Sequence, residues 1–293
     1  MTAADPTLES LIGVPRSEPM RVGRIVVGVA VATLVVFMVR AFALGEIEWS
    51  WVARYLTAYA ILVGFANTLI MTAGAMALGI ALGLAAALMG LSEDPTTRAV
   101  AKGYVWFFRG IPIYLQLLLW FNLALVFPTL GIPGLAEVRT VDAMTPFLAA
   151  LLGLGVCQGA YTAEVIRAGI LSGDVGQIEA ARAVGMRRGQ VMRHIVLPQT
   201  LRIIAPPIGN EVIGMLKHSS IAAVIGYQEV MHTASMLHFV NNRVIEMLIV
   251  CSIWYLVTVT LLTIGQSLVE RRLGRSLGRR TAAAPVAEEG AGA

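Results

Sequence analysis

The sequence is poor in charge and in cysteine. Only 14% of its 293 residues are charged, whereas 57% are hydrophobic. A water-soluble chain of this length cannot bury so much apolar surface, so the composition excludes an ordinary soluble domain and predicts an integral membrane protein. The two cysteines, Cys157 and Cys251, both lie inside apolar runs. That position is typical of small packing residues and excludes a disulfide framework.

Motifs for ATP hydrolysis and metal binding are also missing. The sequence has no GxxxxGKS or GxxxxGKT phosphate loop, so we do not expect this chain to hydrolyse ATP. It has no HExxH motif, and its four histidines lack the spacing of a metal site, which argues against a membrane-embedded enzyme. We therefore predict a chain with no catalytic residue, no metal and no cofactor of its own.

Six apolar stretches are long enough to cross a bilayer, which takes about 20 residues of helix. They lie at residues 24–44, 60–90, 104–128, 145–167, 203–227 and 245–268. The second stretch exceeds the length of a perpendicular span, so we expect it to tilt or to extend into the cytoplasm. The predicted fold class is an all-α integral membrane protein with about six transmembrane helices.

The basic residues predict the orientation of these spans. If the amino terminus lies in the cytoplasm, sixteen of the 22 Lys and Arg residues fall on that side. The six others lie outside or within apolar stretches and are Arg40, Arg54, Arg109, Arg139, Lys217 and Arg243. The positive-inside rule therefore predicts cytoplasmic N- and C-termini. Membrane topology also accounts for the net charge of +4 without a nucleic-acid partner.

The first apolar stretch has two interpretations. Arg21 and Arg24, the apolar run and the segment 41–43 (Ala-Phe-Ala) also fit a cleavable signal peptide. Arg40 beside that cleavage site, and the long polar leader, favour a retained helix. The other five spans keep the same predicted orientation in either case.

The largest inner loop, residues 176–198, predicts two short helices. Residues 177–184 favour helix, Gly185 can supply a left-handed stop, and residues 188–196 can form a second helix that ends before Pro198. The first helix would carry a small apolar face, made of Ala180, Ala181 and Val184. Such a face suits insertion into a groove on another protein.

This loop resembles the EAA loop of bacterial ABC importer permeases. The matching landmarks stand at the expected spacing and are Glu179, Ala180, Ala181, Gly185, Ile195, Leu197 and Pro198. Residues 160–169, 108–116 and 198–220 also look like the polar amino acid branch of that family, the histidine, glutamine and arginine type. His218 and Ser219 depart from it, because members of that branch more often have an acidic residue and a threonine there.

The resemblance implies a domain organisation. An ABC permease domain would occupy residues 59–270, with the EAA loop at 176–198. A cytoplasmic leader at 1–23 and an extra N-terminal helix with an outer interfacial segment at 24–58 would precede it. A basic, disordered cytoplasmic tail would follow at 271–293. The permease domain would hold the family's usual five helices, to which the first helix is an addition.

The resemblance also implies a function and partners. It implies a permease subunit in the lipid of a bacterial plasma (inner) membrane, moving polar amino acids into the cell. An ABC ATPase dimer would use ATP and Mg²⁺, and a second permease subunit, identical or homologous, would complete the assembly. A periplasmic or lipid-anchored binding protein would deliver the solute. The EAA loop would couple ATPase closure to the helix bundle, with Glu179 bonding in the ATPase groove and Gly185 setting the angle between the two short helices.

Polar residues inside the apolar stretches mark a candidate solute path or gate. Such residues are costly in a membrane unless they face a cavity or a partner helix. The candidates are Gln158, Tyr161, Thr162, Glu164, Asn210, Glu211, Lys217 and His218. Hydrogen bonding between helices is the alternative role for each of them.

Helical spacing divides the last four candidates between two adjacent faces that share Gly214. Glu211 and His218 lie on one face, and Asn210 and Lys217 lie on the other. An acid and two bases around a glycine suit a zwitterionic solute. The segment 206–209, with two prolines and a glycine, predicts a broken helix. Arg109 is expected to extend along its span towards the cytoplasmic edge.

Two other kinds of transporter stay open at this point. A secondary amino acid transporter driven by an ion gradient also needs polar residues within several helices, but it leaves the EAA loop unexplained, and the chain shows no clear inverted repeat. An ABC importer of an amino-acid derivative such as an opine fits the loop equally well. The sequence does not identify the solute or distinguish a homomeric from a heteromeric permease pair.

Overall fold

The computed structural model describes residues 21–132 and 136–274. The chain divides into two units, residues 1–49 and 50–293, which are described separately. Most of the predicted leader and of the predicted basic tail lie outside the described residues.

In the first unit, helix α1 runs from Arg21 to Leu44. Its 24 residues give a length of about 36 Å, which exceeds the roughly 30 Å of a hydrocarbon core. Its side chains from Val22 to Leu44 are almost all apolar, and none is buried. A helix that is apolar on every side fits a lipid environment.

The second unit is built mainly of helices. In chain order its elements are α2 (Trp49–Leu56), α3 (Tyr59–Gly90), α4 (Pro95–Gly110), α5 (Ile113–Phe121), β1 (Thr129–Ile132), β2 (Ala136–Arg139), α6 (Thr140–Ala143), α7 (Pro146–Leu171), α8 (Val175–Ala183), α9 (Arg188–Val191), α10 (Leu197–His218), α11 (Val230–Asn241) and α12 (Val244–Gly274). Strands β1 and β2 form a short antiparallel hairpin in which Thr129 pairs with Arg139. The all-α class is therefore confirmed apart from this hairpin.

Within the described residues, the number of membrane-crossing helices is four, or five if a bent pair counts as one span. The four are α1, α3, α7 and α12. The predicted span at 104–128 is not one continuous helix, because α4 and α5 meet at a bend of 100°. Pro112 lies at this bend and cannot donate a backbone hydrogen bond to the preceding turn.

The predicted span at 203–227 is realised differently. Helix α10 continues as a 3₁₀ turn from Ser219 to Ile225, and it carries Arg202, Glu211 and Lys217. With these charges it is not among the helices apolar enough to count as a simple span, so the predicted count of six is not confirmed. The predicted break at 206–209 is wrong, because α10 is continuous there. Its prolines deprive only carbonyl groups at positions 202 and 203 of donors, where the helix is exposed.

Helices α3 and α7 pack closely through small residues. A Cβ atom added to Gly79 would lie 2.7 Å from Cγ of Gln158, and one added to Gly83 would lie 2.8 Å from Cβ of Thr162. Glycine is therefore required for this approach of the two backbones, as is common between membrane helices. The contact fixes the face of α7 that carries the candidate polar residues.

A buried carboxylate joins α3, α11 and α12. Glu229 is fully buried and caps α11 by accepting a hydrogen bond from the backbone N–H of His232 at 2.6 Å. Its other oxygen accepts from the Thr68 hydroxyl on α3 at 3.4 Å and from the Tyr255 hydroxyl on α12 at 3.2 Å. Satisfied in this way, a buried carboxylate can hold helices together.

The turn before α4 is stabilised locally. Asp94 caps α4 and accepts hydrogen bonds from the Thr97 hydroxyl at 2.6 Å and the Thr97 backbone N–H at 2.7 Å. These bonds favour the ionised form, so they hold the pKa of Asp94 below its usual range. The cap fixes the start of the helix that leads to the bend at Pro112.

Candidate functional site

The loop between α7 and α10 forms the elbow that the sequence predicts. Helix α8 starts after Asp174, whose carboxylate accepts a hydrogen bond from the N–H of Gly176 at 2.9 Å. Gly185 follows the end of α8 with a φ of +83°, and the N–H of Met186 bonds to the carbonyl of Ala181 at 3.0 Å. The predicted left-handed stop at Gly185 is confirmed, and this backbone conformation is the one that glycine adopts most easily.

The predicted apolar face of α8 is divided between two sides of the helix. Ala181 is only 5% exposed and packs in a small cluster with Val191 and Val196. Val184 is 78% exposed, and Ala180 and Glu179 are exposed as well. The prediction of a single apolar face made of Ala180, Ala181 and Val184 is therefore wrong. Ala181 packs inside the elbow, while Ala180 and Val184 stay exposed to a partner.

The second half of the loop does not end before Pro198. Helix α9 passes through a π-helical turn, Met192–Val196, directly into α10. Pro198 lies in the first turn of α10, where a missing N–H costs little. Of the other landmarks, Ile195 is half-buried and Leu197 is exposed. The loop is thus joined to α10 without a break.

A glutamine pair that the sequence analysis missed ties the two arms of the loop together. The side-chain amide of Gln199 donates to Oε1 of Gln177 at 2.6 Å, and its oxygen accepts from the N–H of Asp174 at 3.5 Å. Two glutamines 22 residues apart give no signal in a single sequence, since only the fold brings them together. Through Gln199, the start of α8 is held against the start of α10.

A cavity of about 480 Å³ lies where the α4–α5 bend meets α7 and α10. It is lined by Arg109, Gly110, Ile111, Pro112, Ile113, Cys157, Gln158, Tyr161, Glu211, Gly214 and His218. Four of the eight candidate solute residues are among them, together with the glycine that the sequence places between their faces. Its size fits a small organic solute.

Hydrogen bonds connect the polar side chains of this cavity. The Thr162 hydroxyl donates to Oε2 of Glu211 at 2.8 Å, and the amide of Gln158 donates to the Thr162 oxygen at 3.1 Å. Thr162 is fully buried and lies behind the cavity wall rather than in it. This series of hydrogen bonds from α7 to α10 therefore fixes the orientation of the Glu211 carboxylate.

Arg109 is a cavity residue that the sequence analysis did not include among the solute candidates. Its guanidinium lies 5.2 Å from the centre of the Tyr161 ring, within cation–π range. The cavity thus carries Glu211 as an acid and Arg109 and His218 as bases. Arg109 reaches α7 because α4 packs against that helix, where the Tyr104 hydroxyl donates to the carbonyl of Val156 at 2.6 Å.

The other candidates lie elsewhere. Glu164 forms the predicted intrahelical ion pair with Arg167, at 2.9 Å, and lines a neighbouring cavity in whose wall Arg109 also lies. Asn210 accepts a hydrogen bond from Gln266 on α12 at 3.1 Å, and Lys217 is exposed. The structure therefore does not bring these three residues to the Glu211 cavity. In the part of the chain that the structure describes, no three His, Cys, Asp or Glu residues are arranged to hold a metal ion.

Comparison with known proteins identifies the family. Residues 79–275 match the model for binding-protein-dependent transport system inner membrane components. The chain is 36% identical over 269 residues to the arginine transport system permease protein ArgU of Corynebacterium glutamicum, which covers 90% of this chain and 85% of that protein. It is 34% identical to the probable glutamine ABC transporter permease protein GlnM of Bacillus subtilis, over 73% of this chain and 93% of the relative.

A solved structure agrees with this match. The crystal structure of an amino acid ABC transporter with histidines has a chain that superposes with a TM-score of 0.68 at 34% identity, covering 78% of this chain and all of that one. The family model alone spans well over half of the sequence. The chain therefore belongs to the inner-membrane components of binding-protein-dependent transport systems, the permease subunits of ABC importers.

Proposed function

We propose that this chain carries polar amino acids across the plasma membrane through the cavity around Glu211. The observation that carries the proposal is the presence of both charge signs in one cavity, with Glu211 facing the same space as Arg109 and His218. A free amino acid has an ammonium and a carboxylate group, so a site with an acid and bases can pair with both. The names of the arginine and glutamine relatives point to the same class of solute.

The coupling to ATP hydrolysis follows from the exposed part of the loop. Glu179, Ala180 and Val184 offer one acidic and two apolar side chains that this chain leaves uncovered. We assign them, with Gly185 at the elbow and Ile195, Leu197 and Pro198 at the start of α10, to contact with a separate ATPase dimer. That dimer uses ATP and Mg²⁺, and this chain needs neither.

The rest of the assembly follows the family. A second permease subunit, identical or homologous, and a periplasmic or lipid-anchored binding protein complete the importer. The basic residues favour an orientation with both termini in the cytoplasm, which puts the loop on the ATPase side. A carrier driven by an ion gradient is set aside, because the family consists of binding-protein-dependent systems. Opines and related amino-acid derivatives remain solutes to be tested beside the amino acids.

The test compares two carboxylates in reconstituted import. Arginine, histidine, glutamine and octopine are offered with their loaded binding proteins to proteoliposomes that hold this chain and its ATPase. Glu211→Gln is expected to reduce uptake on the order of tenfold, the effect of losing one charged hydrogen bond to the solute. Glu164→Gln is the matched control, because Glu164 does not line the Glu211 cavity and is paired with Arg167. A larger loss in Glu164→Gln than in Glu211→Gln would move the solute path away from the proposed cavity.

A further inference from the structure

The bend between α4 and α5 deprives the backbone carbonyl groups of Phe108 and Ile111 of their helical donors. Pro112 has no N–H to give to the carbonyl of Phe108, four residues earlier. Ile111 has an extended backbone (φ −101°, ψ 132°), and the first N–H groups of α5, those of Leu115 and Gln116, bond to the carbonyl of Pro112 instead. In a membrane protein such unpaired carbonyls are costly unless another group reaches them.

One side chain supplies both missing bonds. The amide nitrogen of Gln116 donates to the carbonyl of Phe108 at 2.8 Å and to that of Ile111 at 2.8 Å. Gln116 lies on α5, and its two acceptors are on α4 and in the bend, so the amide connects the two sides of the break. The residue is 2% exposed, which removes water as a competitor for either carbonyl.

The other end of the same amide confirms that these two bonds determine its orientation. Oε1 of Gln116 is a buried side-chain oxygen with no hydrogen-bond partner among the described residues. Rotating the amide would place Oε1 against the two carbonyl oxygens, from which it cannot accept a hydrogen bond. It would leave the carbonyl of Phe108 with only the weak Cys157 thiol donor, at 3.5 Å. The only further contact of the nitrogen given by the structure is with the sulfur of Cys157, a weak partner at 3.5 Å.

The bend in turn forms one wall of the cavity. Arg109 precedes the break, Ile113 follows it, and both line the cavity with the residues between them. A change in the angle between α4 and α5 would therefore shift Arg109 relative to Ile113 and change the shape of the site.

We propose that Gln116 is a positioning residue that locks the α4–α5 bend through its two hydrogen bonds and so keeps Arg109 in the wall of the cavity. The effect on transport rests on the proposed function of that cavity, whereas the effect on the bend does not. Gln116 itself does not line the cavity, so its role is exerted through the backbone of residues 108–112.

The bend can be measured directly by pulsed electron paramagnetic resonance. Nitroxide labels are attached to Val100→Cys on α4 and Leu119→Cys on α5, two exposed positions on either side of the break, and labelled chain is diluted with unlabelled chain. The native cysteines are buried and can stay in place. A straight helix would put these positions about 28 Å apart, so the bent pair gives a shorter distance.

Gln116→Met keeps the volume of the side chain and removes its donor. We expect the label distance to broaden and lengthen, and transport per ATP hydrolysed to fall on the order of tenfold, since two hydrogen bonds that favour the bend are lost. Asn122→Leu is the matched control, because that amide donates to the carbonyl of Leu118, which also has a backbone donor. It is expected to change neither measurement.

A double variant covers the case in which Gln116→Met does not accumulate. Adding Pro112→Ala restores an N–H that can reach the Phe108 carbonyl, so the chain can fold with a straighter α4–α5, and the label distance should approach that of a continuous helix. With Gln116 intact, Pro112→Ala should keep the short distance. This pair separates the contribution of the amide from that of the proline.

The outcomes test two claims separately: that Gln116 holds the α4–α5 bend, and that the solute passes through the cavity. A label distance unchanged in Gln116→Met and in the double variant overturns the role of Gln116. A longer distance with unchanged transport per ATP supports that role and overturns the solute path proposed for the cavity. A longer distance together with reduced transport per ATP supports both.

Discussion

At the scale of single residues, two carboxylates of the membrane domain have similar partners but different surroundings. Glu229 and Glu211 both accept hydrogen bonds from threonine hydroxyls of neighbouring helices. Glu229 is fully buried and also caps a helix, whereas Glu211 lines an open cavity. The first arrangement stabilises the fold, and the second places a carboxylate in the wall of a cavity that a solute can enter.

We predict that Glu229→Ala destabilises the membrane domain. It removes a helix cap and leaves the buried hydroxyls of Thr68 and Tyr255 without their carboxylate, which should cost about 2–4 kcal/mol. Thermal unfolding in detergent measures the loss. Glu229→Gln keeps an oxygen for the cap and should retain most of the stability. Asp142→Ala, at an exposed ion pair with Arg139, is the control; an equal loss there would contradict the role of Glu229.

Tyr161 gives a second prediction at this scale. Its ring holds the Arg109 guanidinium at 5.2 Å, so Tyr161→Phe should leave uptake close to that of the wild type. Tyr161→Leu removes the aromatic face and should reduce uptake about threefold to tenfold, in keeping with the size of a cation–π contact in a partly desolvated site. Uptake by reconstituted importer checks both. An equal reduction of uptake in both variants would mean that the Tyr161 hydroxyl, and not the aromatic ring, supports transport.

At the scale of helices, the closeness of α3 and α7 determines where the cavity residues lie. We predict that Gly79→Val disrupts this packing, because even a Cβ at that position comes within 2.7 Å of Gln158. The expected result is a loss of stability of about 1–3 kcal/mol or more, together with loss of uptake. Gly103→Ala is the control, since an added Cβ there meets no atom within 4 Å. If both variants unfold at the same temperature as the wild type, the close packing is not required.

The elbow of the coupling loop provides a prediction of its own. Gly185 has a φ of +83° and open space around it, so Gly185→Ala is opposed by backbone strain alone, of about 1–2 kcal/mol. The loop should open, and ATP hydrolysis should become less dependent on the loaded binding protein. Gly189→Ala lies within α9 without such a φ and should have no effect. The measurement is the ratio of ATP hydrolysis with and without loaded binding protein, compared between the two variants. Equal ratios in Gly185→Ala and Gly189→Ala would argue against a strained elbow.

Sequence patterns predicted those elements that are determined by residues close together in the sequence. The apolar stretches marked α1, α3, α7 and α12, and the glycine at 185 marked the elbow. The bend at Pro112 was missed because both of its flanks are apolar, so a single span fits the pattern equally well. The continuity of α10 through its two prolines was missed because proline is locally a helix breaker.

The composition of the cavity was predictable only in part. Gln158, Tyr161, Glu211 and His218 stand out as polar residues in apolar stretches, and all four line it. Arg109 joins them because α4 packs against α7. Glu164, Asn210 and Lys217 find other partners or remain exposed. Such pairings are set by tertiary structure, which the spacing of residues on one helix does not contain.

At the scale of the whole membrane domain, the same helices serve both the loop and the cavity. Helix α7 carries Gln158 and Tyr161 and ends where the loop begins, and α10 leaves the loop at Leu197 and carries Glu211 into the cavity. The helix rise puts those two residues of α10 about 21 Å apart along its axis. A movement of the loop as a rigid body can therefore reach the cavity through continuous helix, without a hinge in α10.

The central claim is that the exposed face of α8 transmits ATPase closure to this helix bundle. The most direct measurement is solute-stimulated ATP hydrolysis in proteoliposomes that contain this chain, its ATPase and a loaded binding protein, with Glu179→Lys compared with the wild type. We predict that stimulation is lost in Glu179→Lys while the melting temperature of the membrane domain is unchanged, because Glu179 is exposed. Solute uptake that proceeds without ATPase or binding protein and is unaffected by Glu179→Lys would contradict the account.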